Sequence, residues 1–357
     1  MKHLKNSCLL LACLILGLAQ KTHGKLWPEP IPNFDKSINY MEPPHLGKPV
    51  DVKVGLYLQD LRDINESHES YRAIGYFYIE WNDPRLVYDE NESGFSKKSY
   101  GQFSSDEVLK EIWWPALITT NALENQDTKK TRVSIYPDGK VTLQRVFDTT
   151  LFSPLDLRQF PFDKQNLVFE IQSYFNESIV KLIKDPAHTA WNPKLEIPGW
   201  VINGLEESEE TKTYAWSDKE FKSLEFVFNI KRDAWFFIWR LVLPLVLMVI
   251  MTWSIFWMDG EKLNDRIKVC SYGFLTSVTF SLAVSTILPR ISYLTFLDKI
   301  LIGTYIYVML AALQSAIQHI IKNSGRASLA AKIDYWCRPI FPLSYVLLWI
   351  VLAKTSL

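Results

Sequence analysis

Residues 267–287 read IKVCSYGFLTSVTFSLAVSTI, and this stretch sets the architecture because it is as long as a membrane span but too polar to face lipid. About 20 residues cross the hydrocarbon core, and polar groups at that depth must face protein or water. Six side chains recur four, three, four, three and four residues apart, which puts them on one helix face. They are Lys268, Tyr272, Leu275, Thr279, Leu282 and Thr286. The spacing therefore predicts that this face lines a water-filled pore.

Two leucines on this face are predicted constrictions. A narrow apolar ring empties of water and blocks ions without a plug. We therefore expect Leu275 to form the gate and Leu282 a second narrow point, while Thr279 and Thr286 keep the outer half wet. The alternative is a polar stripe buried against neighbouring helices, as in a transporter. A transporter would also show internal repeats or broken helices, and the sequence has neither pattern.

Three further stretches are apolar enough to span a membrane, and they divide the chain in two. With the pore stretch, the predicted spans are residues 234–258, 267–287, 296–321 and 340–353. Residues 1–24 have a basic start, an apolar run and then small residues, which is the pattern of a secretory signal peptide. Residues 25–231 are mixed and charged, which predicts one exported domain, and residues 232–357 form the predicted membrane domain.

The link between the third and fourth predicted spans indicates the orientation. Residues 322–338 carry four basic side chains against one acid, and short links rich in Lys and Arg stay in the cytoplasm. Both the N-terminal domain and the C-terminus then lie outside, in agreement with the signal peptide. We expect a multi-pass protein of the cell (inner) membrane, in contact with membrane lipids, with an extracellular or periplasmic N-terminal domain.

Short alternating segments fill the exported domain. In residues 50–61 the apolar side chains alternate with polar ones, the period of a half-buried strand. Strand patterns recur at residues 73–81, 132–147, 166–174 and 223–231, and a Pro-Asp-Gly turn at 137–139 marks a hairpin. Many short strands with turn signals predict a β-sandwich. A short helix is expected near residues 105–111, capped by Ser104 or Ser105.

Composition and motifs argue against several classes of protein. The formal net charge is zero, so nothing indicates a nucleic-acid partner. The sequence has no phosphate loop, zinc spacing or nucleophile elbow, so we expect no enzyme activity, no metal and no cofactor. The exported domain contains no cysteine and must fold without disulfides.

A family resemblance rests on the stretch LFSPLDLRQFPFDKQNL, residues 151–167. It resembles the signature loop of pentameric ligand-gated ion channels. Animal members bracket that loop with two cysteines, and the matching positions here are Ser153 and Leu167, so this chain is similar to prokaryotic members that lack the disulfide. Further matches are Trp81, Asp83, Arg85 and Leu86, Trp114-Pro115, the residues 136–139, Arg232, Pro244 and the residues 288–290. The short link between the third and fourth spans also looks like the prokaryotic branch.

The resemblance implies a homopentamer around a central pore, in which each subunit contributes a β-sandwich extracellular domain and a four-helix transmembrane bundle. Agonists of the family bind in an aromatic box between neighbouring sandwiches. The positions of this chain that match the box are Tyr76, Asn121, Tyr174, Tyr214, Trp216 and Phe221. Because aromatic faces attract ammonium groups, we expect a small-molecule agonist that is an amine. Protons are the alternative agonist.

The resemblance also implies a gating interface where the sandwich meets the membrane domain. The matching residues are Glu66, Asp163, Arg232, Pro289 and Tyr293. We expect Asp163 and Arg232 to form a partly buried ion pair that positions the signature loop. The alternative is that they are two unrelated surface charges.

The charge selectivity of the permeant inorganic ions depends on two residues at the predicted cytoplasmic mouth. Asp265 resembles the acidic ring of cation-selective members, because an acidic ring attracts cations. Lys268 opposes cation passage unless it reaches the mouth and pairs with Asp265. We expect a cation-selective channel. The alternatives are an anion-selective or proton-gated member of the same family, or a membrane-anchored ligand-binding protein that conducts nothing.

Overall fold

The computed structural model describes residues 38–45, 47–101, 103–124, 130–215, 217–258, 262–286, 288 and 290–356. The predicted signal peptide lies outside these residues, as do Trp216 and Pro289. The described chain forms a strand-rich N-terminal domain followed by four long helices.

The N-terminal domain is a sandwich of two sheets. Its strands are β1 (Val50–Asn65), β2 (Ser70–Asn82), β3 (Lys98–Gly101), β4 (Leu117–Thr119), β5 (Thr131–Ile135), β6 (Lys140–Phe152), β7 (Lys164–Ser173), β8 (Val180–Lys184), β9 (Ala190–Trp191), β10 (Trp200–Thr213) and β11 (Glu220–Arg232). The larger sheet has the order β3-β5-β6-β2-β1-β8, with β9 also on β1, and the smaller has the order β10-β11-β7-β4. β1 pairs parallel with β8 and β9, and the other pairings are antiparallel.

The sandwich core follows from the alternation in the sequence. Val52, Val54, Leu56 and Leu58 on β1 are completely buried, as the period of two predicts. Aromatic rings fill the space between the sheets, where Phe77 of the larger sheet meets Phe169 of the smaller edge-to-face at 5.4 Å between centroids. A packed aromatic core of this kind explains how the domain holds together without disulfides.

The predicted short helix is present as α1 (Phe103–Glu111), but it begins before both proposed capping residues. Ser105 lies inside the helix and is buried. Its hydroxyl donates to the carbonyl oxygen of Thr131 at 3.1 Å. The proposed cap is therefore wrong, because Ser105 fastens the helix to β5 instead.

Four helices are long and apolar enough to cross a membrane: α2 (Trp235–Trp257), α3 (Leu263–Ser285), α4 (Phe296–Asn323) and α5 (Ala327–Ser356). The first three agree with the predicted spans to within a few residues. The fourth was predicted as residues 340–353 and is 30 residues long. The predicted link at 322–338 shrinks to residues 324–326, because Lys332, Asp334 and Pro339 lie within the helix. A hydropathy pattern missed residues 327–339 of α5 because they carry the charged residues Lys332, Asp334 and Arg338.

Candidate pore, ligand site and coupling interface

The polar stripe of α3 faces away from the rest of the subunit. All seven predicted pore residues are exposed: Asp265, Lys268, Tyr272, Leu275, Thr279, Leu282 and Thr286. The opposite face of α3 is buried and carries Arg266, Cys270, Gly273, Ser277 and Val284. A Cβ atom on Gly273 would lie 2.5 Å from the Thr252 hydroxyl, so glycine allows α3 to approach α2 closely. The stripe residues are exposed within the subunit because α2 and α4 pack on the other side of α3.

Two hydroxyl groups on the stripe donate hydrogen bonds to backbone carbonyl oxygens one turn earlier in the chain. Thr279 donates to the carbonyl oxygen of Leu275 at 3.0 Å, and Thr286 donates to that of Ala283 at 2.7 Å. These bonds leave the hydroxyl lone pairs available to water. Leu275 lies one helical turn before Thr279 and is 65% exposed, so an apolar residue interrupts the polar surface there.

The two charged residues at the start of the stripe contact each other. Lys268 Nζ donates to Asp265 Oδ1 at 3.3 Å, and both side chains are exposed. The contact that would let Lys268 coexist with cation passage is therefore present. One positive and one negative charge partly neutralise each other at the end of α3 that lies farthest from the sandwich.

Three of the predicted ligand residues lie at one end of the smaller sheet. Tyr174 follows β7 and is 73% exposed. The Tyr214 hydroxyl donates to Gln172 Oε1 at 2.6 Å, and its ring meets that of Phe221 edge-to-face at 5.6 Å. Phe221 is buried and supports Tyr214. The arrangement presents Tyr174 and Tyr214 on the surface, while another candidate, Trp216, lies outside the described residues.

Tyr76 lies on the other sheet beside a cavity of about 300 Å³. The described lining includes Lys130, Arg132 and Gln144 and contains no acidic side chain. Lys130 and Arg132 were not predicted as site residues. Their alternation with β-branched residues in 130–135 is the signal that could have identified them, because it places both on the exposed face of a strand. Tyr76 on β2 and Tyr174 after β7 belong to different sheets of the sandwich.

Asn121, a further predicted ligand residue, is hydrogen-bonded to backbone groups of the sandwich. Its Nδ2 donates to the carbonyl oxygens of Phe152 and Val168 at 2.8 and 2.7 Å, and its Oδ1 accepts from the Glu170 amide. The side chain thus ties β7 to the end of β6. These bonds give Asn121 a structural role, and its contact with a ligand stays a prediction.

Arg232, the last residue of β11, is buried in a cluster of acids and aromatic rings. Its guanidinium donates to both oxygens of Asp163, at 2.8 and 3.2 Å, and to Glu66 Oε1 at 2.7 Å. Its central carbon lies 4.0 Å from the ring centroid of Trp200 and 4.9 Å from that of Phe160. The expected ion pair is present and is almost fully buried rather than partly buried.

Tyr293, in the link between α3 and α4, contacts the signature loop (residues 153–167). Its hydroxyl accepts from the Leu157 amide at 3.0 Å, and the Arg158 guanidinium lies over its ring at 5.2 Å. The amide of Phe296 donates to the carbonyl oxygen of Arg158 at 2.8 Å. These bonds join the sandwich directly to the helix that follows the predicted pore wall.

Two surface carboxylates of the sandwich titrate at low pH. Hydrogen bonds from Arg72 lower the pKa of Asp148 below its usual value of 3.8. A hydrogen bond from Lys222 lowers the pKa of Glu209 below its usual value of 4.5. Both groups therefore stay charged under mildly acidic conditions.

Comparisons with known proteins agree with this arrangement. Residues 33–234 match the family model described as the neurotransmitter-gated ion-channel ligand binding domain. Residues 241–342 match the model of the neurotransmitter-gated ion-channel transmembrane region.

Among similar curated proteins, a proton-gated ion channel of Gloeobacter violaceus is 26% identical over 331 residues, which cover 92% of this chain and 89% of the relative. A gamma-aminobutyric acid receptor subunit beta-like protein of Drosophila melanogaster is 28% identical over 82% of this chain and 61% of its own length. The gamma-aminobutyric acid receptor subunit beta-4 of Gallus gallus is 26% identical over 77% of this chain and 56% of its own length. The chain thus spans less than two thirds of the two receptor subunits.

Proposed function

This chain belongs to the family of neurotransmitter-gated ion channels, and we propose that it forms a homopentamer whose α3 helices line an ion pore opened by a ligand. The family consists of channels rather than enzymes, and the chain is a multi-pass membrane protein with an extracellular N-terminal domain.

The observation that carries the proposed pore is the exposed stripe of α3. Polar and charged side chains at membrane depth need water or a polar partner, and the subunit's other helices leave this face uncovered. In a ring of five subunits around a central axis, the five stripes would face a common water-filled space. Leu275 would then form the ring that closes the pore by dewetting.

We propose cation selectivity, supported by the contact between Lys268 and Asp265. An unpaired ring of ammonium groups would repel cations, and the contact offsets that charge. The acidic group is also nearer the cytoplasmic end, where a passing ion meets bulk solvent.

The agonist is proposed to be a small amino acid that carries both an ammonium and a carboxylate group. Tyr174 and Tyr214 of one subunit would attract the ammonium, with about 0.5–2 kcal/mol for each aromatic face. Lys130 and Arg132 beside Tyr76 of the next subunit would bind the carboxylate. The two receptor subunits similar to this chain are named for gamma-aminobutyric acid, which carries both groups.

Protons are the second candidate agonist. The support is the proton-gated relative, which aligns with 92% of this chain. The two candidates differ in a measurable way, since only an amino acid needs the basic residues beside Tyr76.

The experiment is voltage clamp of oocytes that express the chain, with steps of pH and a panel of amines and amino acids. Arg132→Gln should raise the half-activating concentration of an amino acid about tenfold or more, as the loss of one charged hydrogen bond does. It should leave activation by protons unchanged. Lys110→Gln, an exposed change on α1, is the matched control. Surface-expressed protein without current under any of these conditions would refute the channel.

A further inference from the structure

The pore helix carries a second basic residue, Arg266, that does not face the stripe. Arg266 is completely buried, although it lies between Asp265 and Ile267 in the first turns of α3. Its guanidinium donates to both oxygens of Asp334 on α5, at 3.2 and 2.8 Å. The last helix of the bundle therefore supplies the counter-charge for a residue on the proposed pore helix.

Two other elements hold this ion pair. Gln314 of α4 donates to Asp334 Oδ1 at 2.7 Å, and Arg266 also donates to the carbonyl oxygen of Met258 at the end of α2. Four segments of the chain thus converge on one buried charge. The cluster fixes the direction of the Arg266 side chain away from the stripe.

Stability alone is a weak reason for this cluster. Desolvation of a buried ion pair offsets much of its attraction, and an apolar replacement is often as stable. Here Arg266 Nε and Gln314 Oε1 also have no hydrogen-bond partner among the described residues, which adds a further cost. The geometric effect, in contrast, is definite because the guanidinium is kept out of the aqueous face.

We propose that Asp334 is a selectivity-determining residue, which acts by holding the Arg266 charge away from the cytoplasmic mouth of the pore. The inference rests on the proposed function, since it requires that α3 line the pore. Asp265 and Lys268 already offset each other at the mouth. Arg266 is the one further charge in the first two turns of α3, so its position decides whether these turns present a net positive charge to the ion path.

Removal of the Asp334 carboxylate would release the Arg266 side chain. An arginine side chain keeps its charge, and an unpaired charge inside the bundle is costly. Its long stem allows the guanidinium to reach water while the methylene groups stay buried. The nearest water is at the mouth, so each subunit would add one positive charge to the ion path.

Asp334→Asn tests the proposal through the permeability ratio of sodium to chloride, measured from reversal potentials during dilution of NaCl. The ratio should fall at least about threefold, the factor for one unit charge that acts over about 7 Å of water. Asp334→Glu keeps the charge and should retain the parent ratio.

The double variant Arg266→Gln/Asp334→Asn separates charge from structure. It removes both charges, so the ratio should return to that of the parent even if the channel opens less readily. A double variant as altered as Asp334→Asn alone would mean that the cluster only supports the fold, and the proposal would be wrong.

Mixed pentamers provide the measurement if Asp334→Asn homomers fail to reach the surface. Coexpression with the unaltered chain produces them, and the ratio should fall as the share of the variant at the surface rises. An unchanged ratio despite surface incorporation overturns the proposal. If the parent itself conducts nothing, the proposed function fails, which is a different result from an unchanged ratio in a conducting channel.

Discussion

The Arg232 guanidinium and the Asp163 carboxylate form a two-point ion pair that is almost fully buried, with N–O distances of 2.8 and 3.2 Å. Asp163 lies in the signature loop, and Arg232 ends the last strand before the first membrane helix. The pair therefore fixes the position of the loop relative to the entry into the membrane.

Neutralisation of Asp163 is expected to damage both stability and gating. Asp163→Asn leaves the Arg232 charge without its main partner, a loss of about 3–5 kcal/mol. We expect a lower melting temperature of the purified protein and a higher half-activating agonist or proton concentration.

Exchange of the two charges, Asp163→Arg with Arg232→Asp, should restore gating only in part. The rings of Trp200 and Phe160 lie against the guanidinium at position 232. These cation–π contacts would be lost with a carboxylate at that position. A normal activation curve for Asp163→Asn would show that the pair has no role in coupling.

Leu275→Thr is predicted to produce a leak. A hydroxyl ring holds water where the leucine ring excludes it, so current should flow without agonist. Leu313→Ala shortens an exposed leucine on α4 and serves as the control. The measurement is holding current before agonist, divided by surface protein. Equal leak in both variants would argue against Leu275 as the gate.

Lys268→Gln should increase single-channel cation conductance. The change removes a positive charge from the proposed mouth and leaves Asp265 unpaired, so the local potential becomes more negative. Lys332→Gln, an exposed change on α5, is the control for effects of charge elsewhere. A lower conductance in Lys268→Gln would indicate that anions carry the current.

Ser153→Ala is predicted to destabilise the sandwich. The Ser153 hydroxyl donates to the Asn166 carbonyl at 3.1 Å and accepts from the Val168 amide at 3.2 Å. It therefore binds the strand on both sides of Leu167, where animal relatives would have the second cysteine. Loss of these bonds should cost about 1–3 kcal/mol, seen as a lower melting temperature. Ser344→Ala, whose hydroxyl bonds only to its own helix, should have little effect.

The acid sensitivity of the sandwich should begin only at low pH. Because the pKa of Glu209 is lowered in the folded protein, its ion pair stabilises the fold above the ordinary value of 4.5. That contribution is lost as the pH falls through the lowered pKa. Glu209→Gln should lower the melting temperature slightly near neutral pH, where the parent has the ion pair, and leave it almost unchanged at a pH below the lowered pKa, where the parent has lost the pair. If the variant shifts proton activation at higher pH, Glu209 has a different role.

Features that repeat over short distances could be predicted from the sequence. Alternation showed which side of β1 is buried, and the spacing in residues 267–287 identified the exposed stripe of α3, because both result from the period of one strand or one helix. The pairing of Lys268 with Asp265 was predictable in the same way, since the two residues are one helical turn apart.

Contacts between distant residues emerged only from the folded chain. Asp334 on α5 pairs with Arg266 on α3, and Asn121 bonds to strands from other parts of the chain. The cavity beside Tyr76 is likewise lined by residues from β2, β5 and β6. Such contacts escape a sequence pattern because the energy of a buried charge or amide depends on partners that folding brings together.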